Sequence, residues 1–65
     1  MIIRVNADDL EVDDHTTVAA LLRSLGYPDR GVAVAVDQAV LPRSSWTTAL
    51  SDGANIEVVT AVQGG

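Results

Sequence analysis

Sixty-five residues make one domain, and with no cysteine and a single histidine, His15, neither a disulfide framework nor a multi-histidine metal site can brace it. Apolar residues, 48% of the chain, can carry a thin core but leave little room for a deep substrate pocket, so the chain is not expected to be an enzyme by itself. The formal charge of −5, from nine acidic residues against four arginines and no lysine, argues against nucleic acid and anionic membranes as partners and favours a basic protein surface.

Met1 to Val5 alternates, with Met1, Ile3 and Val5 on one face, and reads as a strand with one side buried. It has no basic head, long apolar stretch or cleavage site, and no segment approaches the ~20 apolar residues needed to span a bilayer. A cytoplasmic protein is the expectation. Asn6 to Asp9 is polar turn material, and Leu10 to Asp13 alternates again, closing an N-terminal hairpin.

Val18, Leu21, Leu22 and Leu25 then recur at helical spacing and predict a helix over about 17 to 25. Thr16 or Thr17 can cap its start, with Asp13 and Asp14 near the positive end of its dipole. Gly26, followed by Pro28, ends it. Val32 to Val36 alternates valine with alanine, so both faces are apolar and the strand lies inside the sheet. Asp37-Gln38 is a turn, and Ala39 to Leu41 starts a short strand that Pro42 ends. Arg43 to Leu50 is irregular, with a 3₁₀ turn around Trp46. Asp52-Gly53 turns into the last strand, from Ile56 to Thr60 or Val62, after which the chain ends in Gln63-Gly64-Gly65.

The order β-β-α-β-β-β suits an α+β fold, a mixed five-stranded sheet with one helix across one face. Its first and last strands would lie parallel at the centre. The expected division is a folded domain over 1–62 and a flexible tail over 63–65. Ile3, Val5, Val18, Leu21, Leu22, Leu25, Ile56 and Val58 are the expected core. Ile2 and Val59 would point away from the helix and, with part of the Val32 to Val36 strand, form an exposed apolar patch for a partner.

Several residues invite a chemical reading that their surroundings do not support. His15 beside Asp13 and Asp14 matches no metal-ligand spacing and reads as a solvated residue before a helix. Ser44 and Ser45 have no histidine or cysteine that sequence places beside them. No catalytic and no metal residues are therefore expected. Trp46 suits core packing better than an interface, and Arg43 is evenly divided between structure and partner contact.

In length, in the Thr17-Val18…Leu21-Leu22 helix start, in Val34-Ala35-Val36-Asp37, in Pro42-Arg43-Ser44-Ser45-Trp46, in Leu50-Ser51-Asp52-Gly53 and in the terminal Gly64-Gly65, the chain resembles the ThiS family of sulfur carriers. The resemblance covers nearly the whole chain and implies the ubiquitin-like β-grasp fold. It implies that the Gly65 carboxylate is adenylated by a ThiF-type enzyme, converted to a thiocarboxylate with sulfur from a donor protein, and used by a ThiG-type thiazole synthase. ATP then belongs to the activating partner, and the carrier needs no cofactor of its own. The alternatives are a MoaD-type small subunit of molybdopterin synthase, a carrier for cysteine synthesis or tRNA thiolation, and a ubiquitin-like modifier or binding module. Members of the molybdopterin family are usually longer, with aromatic residues leading into the tail, whereas this chain has no Phe.

Such a tail suits that chemistry physically. A terminal carboxylate is ionised at pH 7 and becomes an acyl donor only once AMP is its leaving group. Glycine at Gly64 and Gly65 lets backbone pass through a narrow channel that any Cβ would obstruct. Ala61 to Gly65, fully extended, reaches about 17 Å at roughly 3.4 Å per residue, far enough to enter a neighbouring active site. Gln63 to Gly65 should be mobile in the free protein. No cysteine side chain competes for the sulfur.

Overall fold

A computed structural model of the protein describes residues 1–28 and 30–60. The expectations for Gln63, Gly64 and Gly65, the mobility of the tail and any continuation of the last strand to Val62 lie outside the described residues. The elements are β1 (Ile2–Val5), β2 (Asp8–Glu11), α1 (Val18–Ser24), β3 (Val32–Val36), β4 (Ala39–Val40), a 3₁₀ turn (Arg43–Ser45) and β5 (Asn55–Thr60). They form one five-stranded sheet in the order β2-β1-β5-β3-β4.

β1 and β2 pair antiparallel from Ile2↔Glu11 to Val5↔Asp8, so the turn between them is only Asn6-Ala7. Both turn residues have positive φ, 49° and 72°, the combination of a type I′ hairpin whose twist matches the strands. The sequence reading extended this turn to Asp9. Asp8 and Asp9 instead begin β2, because a two-residue loop closes the register and an edge strand tolerates charge on its solvent side. Asp37-Gln38, joining β3 to β4, repeats the geometry at φ 51° and 73°. Ala7 and Gln38 thus occupy left-handed positions without glycine's freedom, at roughly 1–2 kcal/mol each. Ala7→Gly and Gln38→Gly should each gain about 0.5–1 kcal/mol, the larger backbone entropy of glycine offsetting part of the relief. Thermal unfolding of each variant would show this as a midpoint several degrees higher.

Thr17 caps α1, its hydroxyl oxygen accepting from the Ala20 amide at 3.1 Å. The Ala19 amide, another first-turn donor, goes to the Trp46 carbonyl at 3.0 Å, and the Leu50 amide to the Thr16 carbonyl at 2.8 Å. The helix start is therefore sewn to the segment before β5. At the other end Gly26 turns left-handed at φ 84°. The Gly26 amide donates to Arg23 C=O at 3.1 Å and the Tyr27 amide to Leu22 C=O at 2.9 Å, a Schellman stop.

Val18, Leu21 and Leu22 face Ile3, Val5, Val34, Ile56 and Val58 across the core, with Trp46 and Ala54 closing one side. Leu25 departs from the expectation, at 42% exposed. The stripe ends where the helix does: Leu25 is the C-cap and overhangs β1–β2, where half-buried Leu10 and exposed Asp8 offer little apolar cover. β3 is internal, as its two apolar faces predict, with Val34 buried and Val32 and Val36 packed against the core. The central strand is β5, parallel to β1 through Arg4↔Asn55 and Val5↔Ile56 and antiparallel to β3 from Val32↔Thr60 to Val36↔Ile56. A mixed sheet with the N- and C-terminal strands parallel at its centre and one helix across it is the β-grasp fold.

Candidate functional site

The described chain ends at Thr60, the last residue of β5, and that end of the strand is held from both sides. On one side β3 pairs with β5 as far as Val32↔Thr60. On the other, β1 stops too soon: its ladder ends at Val5↔Ile56, with the Asn6 amide reaching Ile56 C=O at 2.9 Å. The side chain of Asn6 then takes over the next position. Its Oδ1 accepts from the Val58 amide at 2.9 Å, and its Nδ2 donates to the Val58 carbonyl at 3.4 Å and to the Tyr27 hydroxyl at 3.5 Å. One amide side chain thus imitates the strand that β1 does not supply, two residues before Thr60. The sequence reading treated Asn6 as turn material; its taste for left-handed φ was legible, its reach to Val58 was not.

Asn6→Gly keeps the turn and deletes only the side chain, leaving the Val58 amide without its partner. It should cost about 1–3 kcal/mol. Amide hydrogen exchange would report it as faster exchange at Val58 than at Ile56. Equal protection at the two positions would mean that water or the strand itself replaces Asn6.

The predicted surface residues do not form one patch. Ile2 is 54% and Val59 63% exposed, both on the sheet face away from α1. Yet the β1–β5 register sets Arg4 beside Asn55, which puts Ile2 level with Gly53, six residues short of Val59. At 3.3 Å per residue the two are about 20 Å apart along the strand direction. Ile2 belongs to the opposite end, where its amide donates to Asp52 Oδ1 at 3.0 Å. Val59 instead pairs with Ala33, and Ala35 pairs with Val40, which is 79% exposed. The apolar strip beside the end of β5 is therefore Val59, Ala33, Ala35 and Val40.

Trp46 is in the core at 7% exposed, its indole N–H donating to Leu41 C=O at 3.3 Å. The Arg43 guanidinium lies over its ring, 5.2 Å from the centroid. His15 is exposed at φ 70°, and no group of three or more possible metal ligands occurs among the described residues. Among the described residues no helix is long and apolar enough to cross a membrane.

A match to the ThiS family runs over residues 3–65, through the core strands and on to the terminal glycines. The chain belongs to the ThiS family. The crystal structure of the thiamine biosynthesis protein ThiS from Geobacter metallireducens is similar over the full length of both chains, with 29% identity and a TM-score of 0.82. A solution structure of a thiamine biosynthesis protein from that organism gives 29% identity and a TM-score of 0.77, covering all of this chain and 88% of that one. A thiazole synthase of Paramagnetospirillum magneticum is 36% identical over 62 residues, 94% of this chain. The chain spans only about a fifth, 19%, of the length of that curated relative. Family and ThiS structures together support a thiamine-biosynthesis sulfur carrier.

Proposed function

We propose that this ThiS-family chain carries sulfur on the carboxylate of Gly65 for thiazole formation, and that it is the substrate of an adenylating enzyme and not itself a catalyst. An oxygen of that carboxylate attacks the α-phosphorus of ATP on a ThiF-type partner, and pyrophosphate leaves. A sulfur nucleophile on a donor protein attacks the resulting acyl-adenylate and displaces AMP. With a persulfide as that nucleophile the product is an acyl disulfide; a thiol then attacks the donor's sulfur, the S–S bond breaks to leave a donor–thiol disulfide, and Gly65 keeps a thiocarboxylate whose sulfur a ThiG-type thiazole synthase consumes. Residues 1–62 act as the folded body and 63–65 as the tail, in the cytoplasm, with ATP bound by the partner alone.

The observation that carries this reading is the family match reaching the terminal Gly64-Gly65. The thiazole synthase that contains a stretch similar to nearly the whole chain supports the synthase as the consuming partner. The Val59, Ala33, Ala35 and Val40 strip supports a body that rests on a partner while the tail extends. The test is intact-mass spectrometry after incubation with ATP and the matching adenylating enzyme, then with a sulfur source. One AMP adduct, replaced by one oxygen-to-sulfur exchange, both in the C-terminal fragment, is the expected result. An unmodified C-terminus would sink it.

A further inference from the structure

The sheet has two outer strands, β4 with two residues and β2 with four. The backbone of β2 fixes which of its polar groups look outward. The Met1 amine donates to Val12 C=O at 2.8 Å and the Val12 amide to Met1 C=O at 2.9 Å, so these two residues form a bonded pair. Bonded and non-bonded pairs alternate along an antiparallel ladder. Ile2↔Glu11 and Arg4↔Asp9 are therefore non-bonded, and the N–H and C=O of Asp9 and Glu11 point away from β1. The Arg4 amide keeps the same phase, donating to Ala54 C=O on the β5 side at 2.9 Å. Among the described residues, none of these outward groups of β2 has a hydrogen-bond partner.

Residues opposite each other in such a ladder share a face of the sheet. Ile3 and Val5 are buried beneath α1, so their partners Leu10 and Asp8 face α1, while Asp9 and Glu11 face away from it. On the α1 side two open grooves, of about 280 and 340 Å³, flank the edge. Leu10, Leu25 and Tyr27 line the first, Val12 and Ala20 the second. Every charged side chain on β2 is acidic, and Asp13 and Asp14 follow directly. Arg4 Nε meets Asp9 Oδ1 at 3.2 Å and the Met1 amine meets Asp14 Oδ1 at 3.5 Å. Glu11 has no cationic partner among the described residues.

We propose that the outer edge of β2 docks an extended basic segment of another protein, which adds to the sheet as a further strand. Its backbone pairs with the N–H and C=O groups of Asp9 and Glu11. The two residues opposite those positions share their face, so both are lysine or arginine. The residue between them lies over Leu10, beside the grooves, and is apolar. The resulting pattern, basic–apolar–basic, reads the same in either strand direction. Charge decides the occupant. Acidic side chains on an open edge repel a second copy that would pair β2 with β2, and the same side chains attract a basic strand. The apolar strip on β5, β3 and β4 lies toward the opposite edge of the sheet. The inference goes beyond the carrier reading and does not depend on it.

The full chain, ¹⁵N-labelled, is titrated with a blocked peptide of alternating lysine and valine, with its glutamate version, and with a version N-methylated at every lysine. The lysine peptide should shift the Asp9 and Glu11 amides and slow their hydrogen exchange about tenfold, while Val40 on the other edge is unmoved. N-methylation keeps the charge and removes the ladder donors, so that peptide should give no exchange protection. The glutamate peptide should give neither effect. Glu11→Lys sets like charges opposite each other and should weaken binding of the lysine peptide about tenfold, with Glu11→Gln a milder step in the same direction. Glu11 is exposed, so the core resonances of both variants should stay in place. No protection of Asp9 and Glu11 at several millimolar lysine peptide would overturn the proposal, leaving the charges a guard against self-association alone. Equal protection by the N-methylated peptide would also overturn it, since attraction would then act without strand pairing. Protection at Val40 in place of Asp9 and Glu11 would move docking to β4, and the proposal would fail.

Discussion

Ile56→Ala is expected to destabilise the fold by about 3–5 kcal/mol, the upper part of the range for truncating a buried aliphatic side chain. Ile56 is fully buried in the central strand and has register partners on both sides, Val5 in β1 and Val36 in β3. α1 lies above it, anchored at its start through Trp46 and Leu50 and at its end by the Gly26 stop. The cavity therefore has few ways to collapse, and cost rises with the volume left empty. A 65-residue domain has roughly 3–10 kcal/mol to lose, at 0.05–0.15 kcal/mol per residue, so the variant should be largely unfolded or close to it. Urea unfolding followed by Trp46 fluorescence measures this directly. Val40→Ala, exposed on the far face of the same sheet, should stay within about 0.5 kcal/mol of the parent. Equal midpoints for the two variants would mean that the core does not centre on β5.

Local signals in the chain were sufficient for most of this fold. Gly26 after a leucine stripe marks a helix stop, and the valine–alanine alternation of Val32 to Val36 marks a strand with apolar material on both faces. Period and alternation, however, say which face a residue takes and not what stands opposite. Leu25 continues the stripe correctly, yet the sheet beneath it has run out. Ile2 and Val59 do share a face, but only the β1–β5 register reveals the six-residue offset that separates them. Asn6 and Val58 are 52 residues apart, and no local rule links an amide in a turn to the backbone of the last strand. The same holds for Arg23 and Arg43. Twenty positions apart, they line one groove together with Tyr27 and Trp46. The proposal for the tail needs no such long-range pairing: it rests on Gly64 and Gly65, adjacent in the sequence and inside the family match.

Deleting Gly65 should abolish both adenylation and sulfur loading, the largest functional effect expected from any single change. Such a variant still ends in a glycine carboxylate of the same intrinsic reactivity. What changes is reach: the Gly64 carboxylate would stop one residue, about 3.4 Å, short of the α-phosphorus. Near-attack geometry needs reacting atoms about 3–3.5 Å apart, so the shortfall equals the whole working distance. The body cannot slide forward to compensate if the apolar strip already fixes its seat. Gly64→Val separates reach from access, since it keeps the length and adds a branched side chain where the channel must close on backbone. It should leave the unfolding midpoint unchanged, being four residues beyond Thr60, while slowing adenylation. Rates for both variants come from the same intact-mass assay, sampled in time at saturating ATP. Undiminished loading of the deletion variant would show that the enzyme reads the body and not the length of the tail, and the Gly65 carboxylate would lose its claim to be the working group.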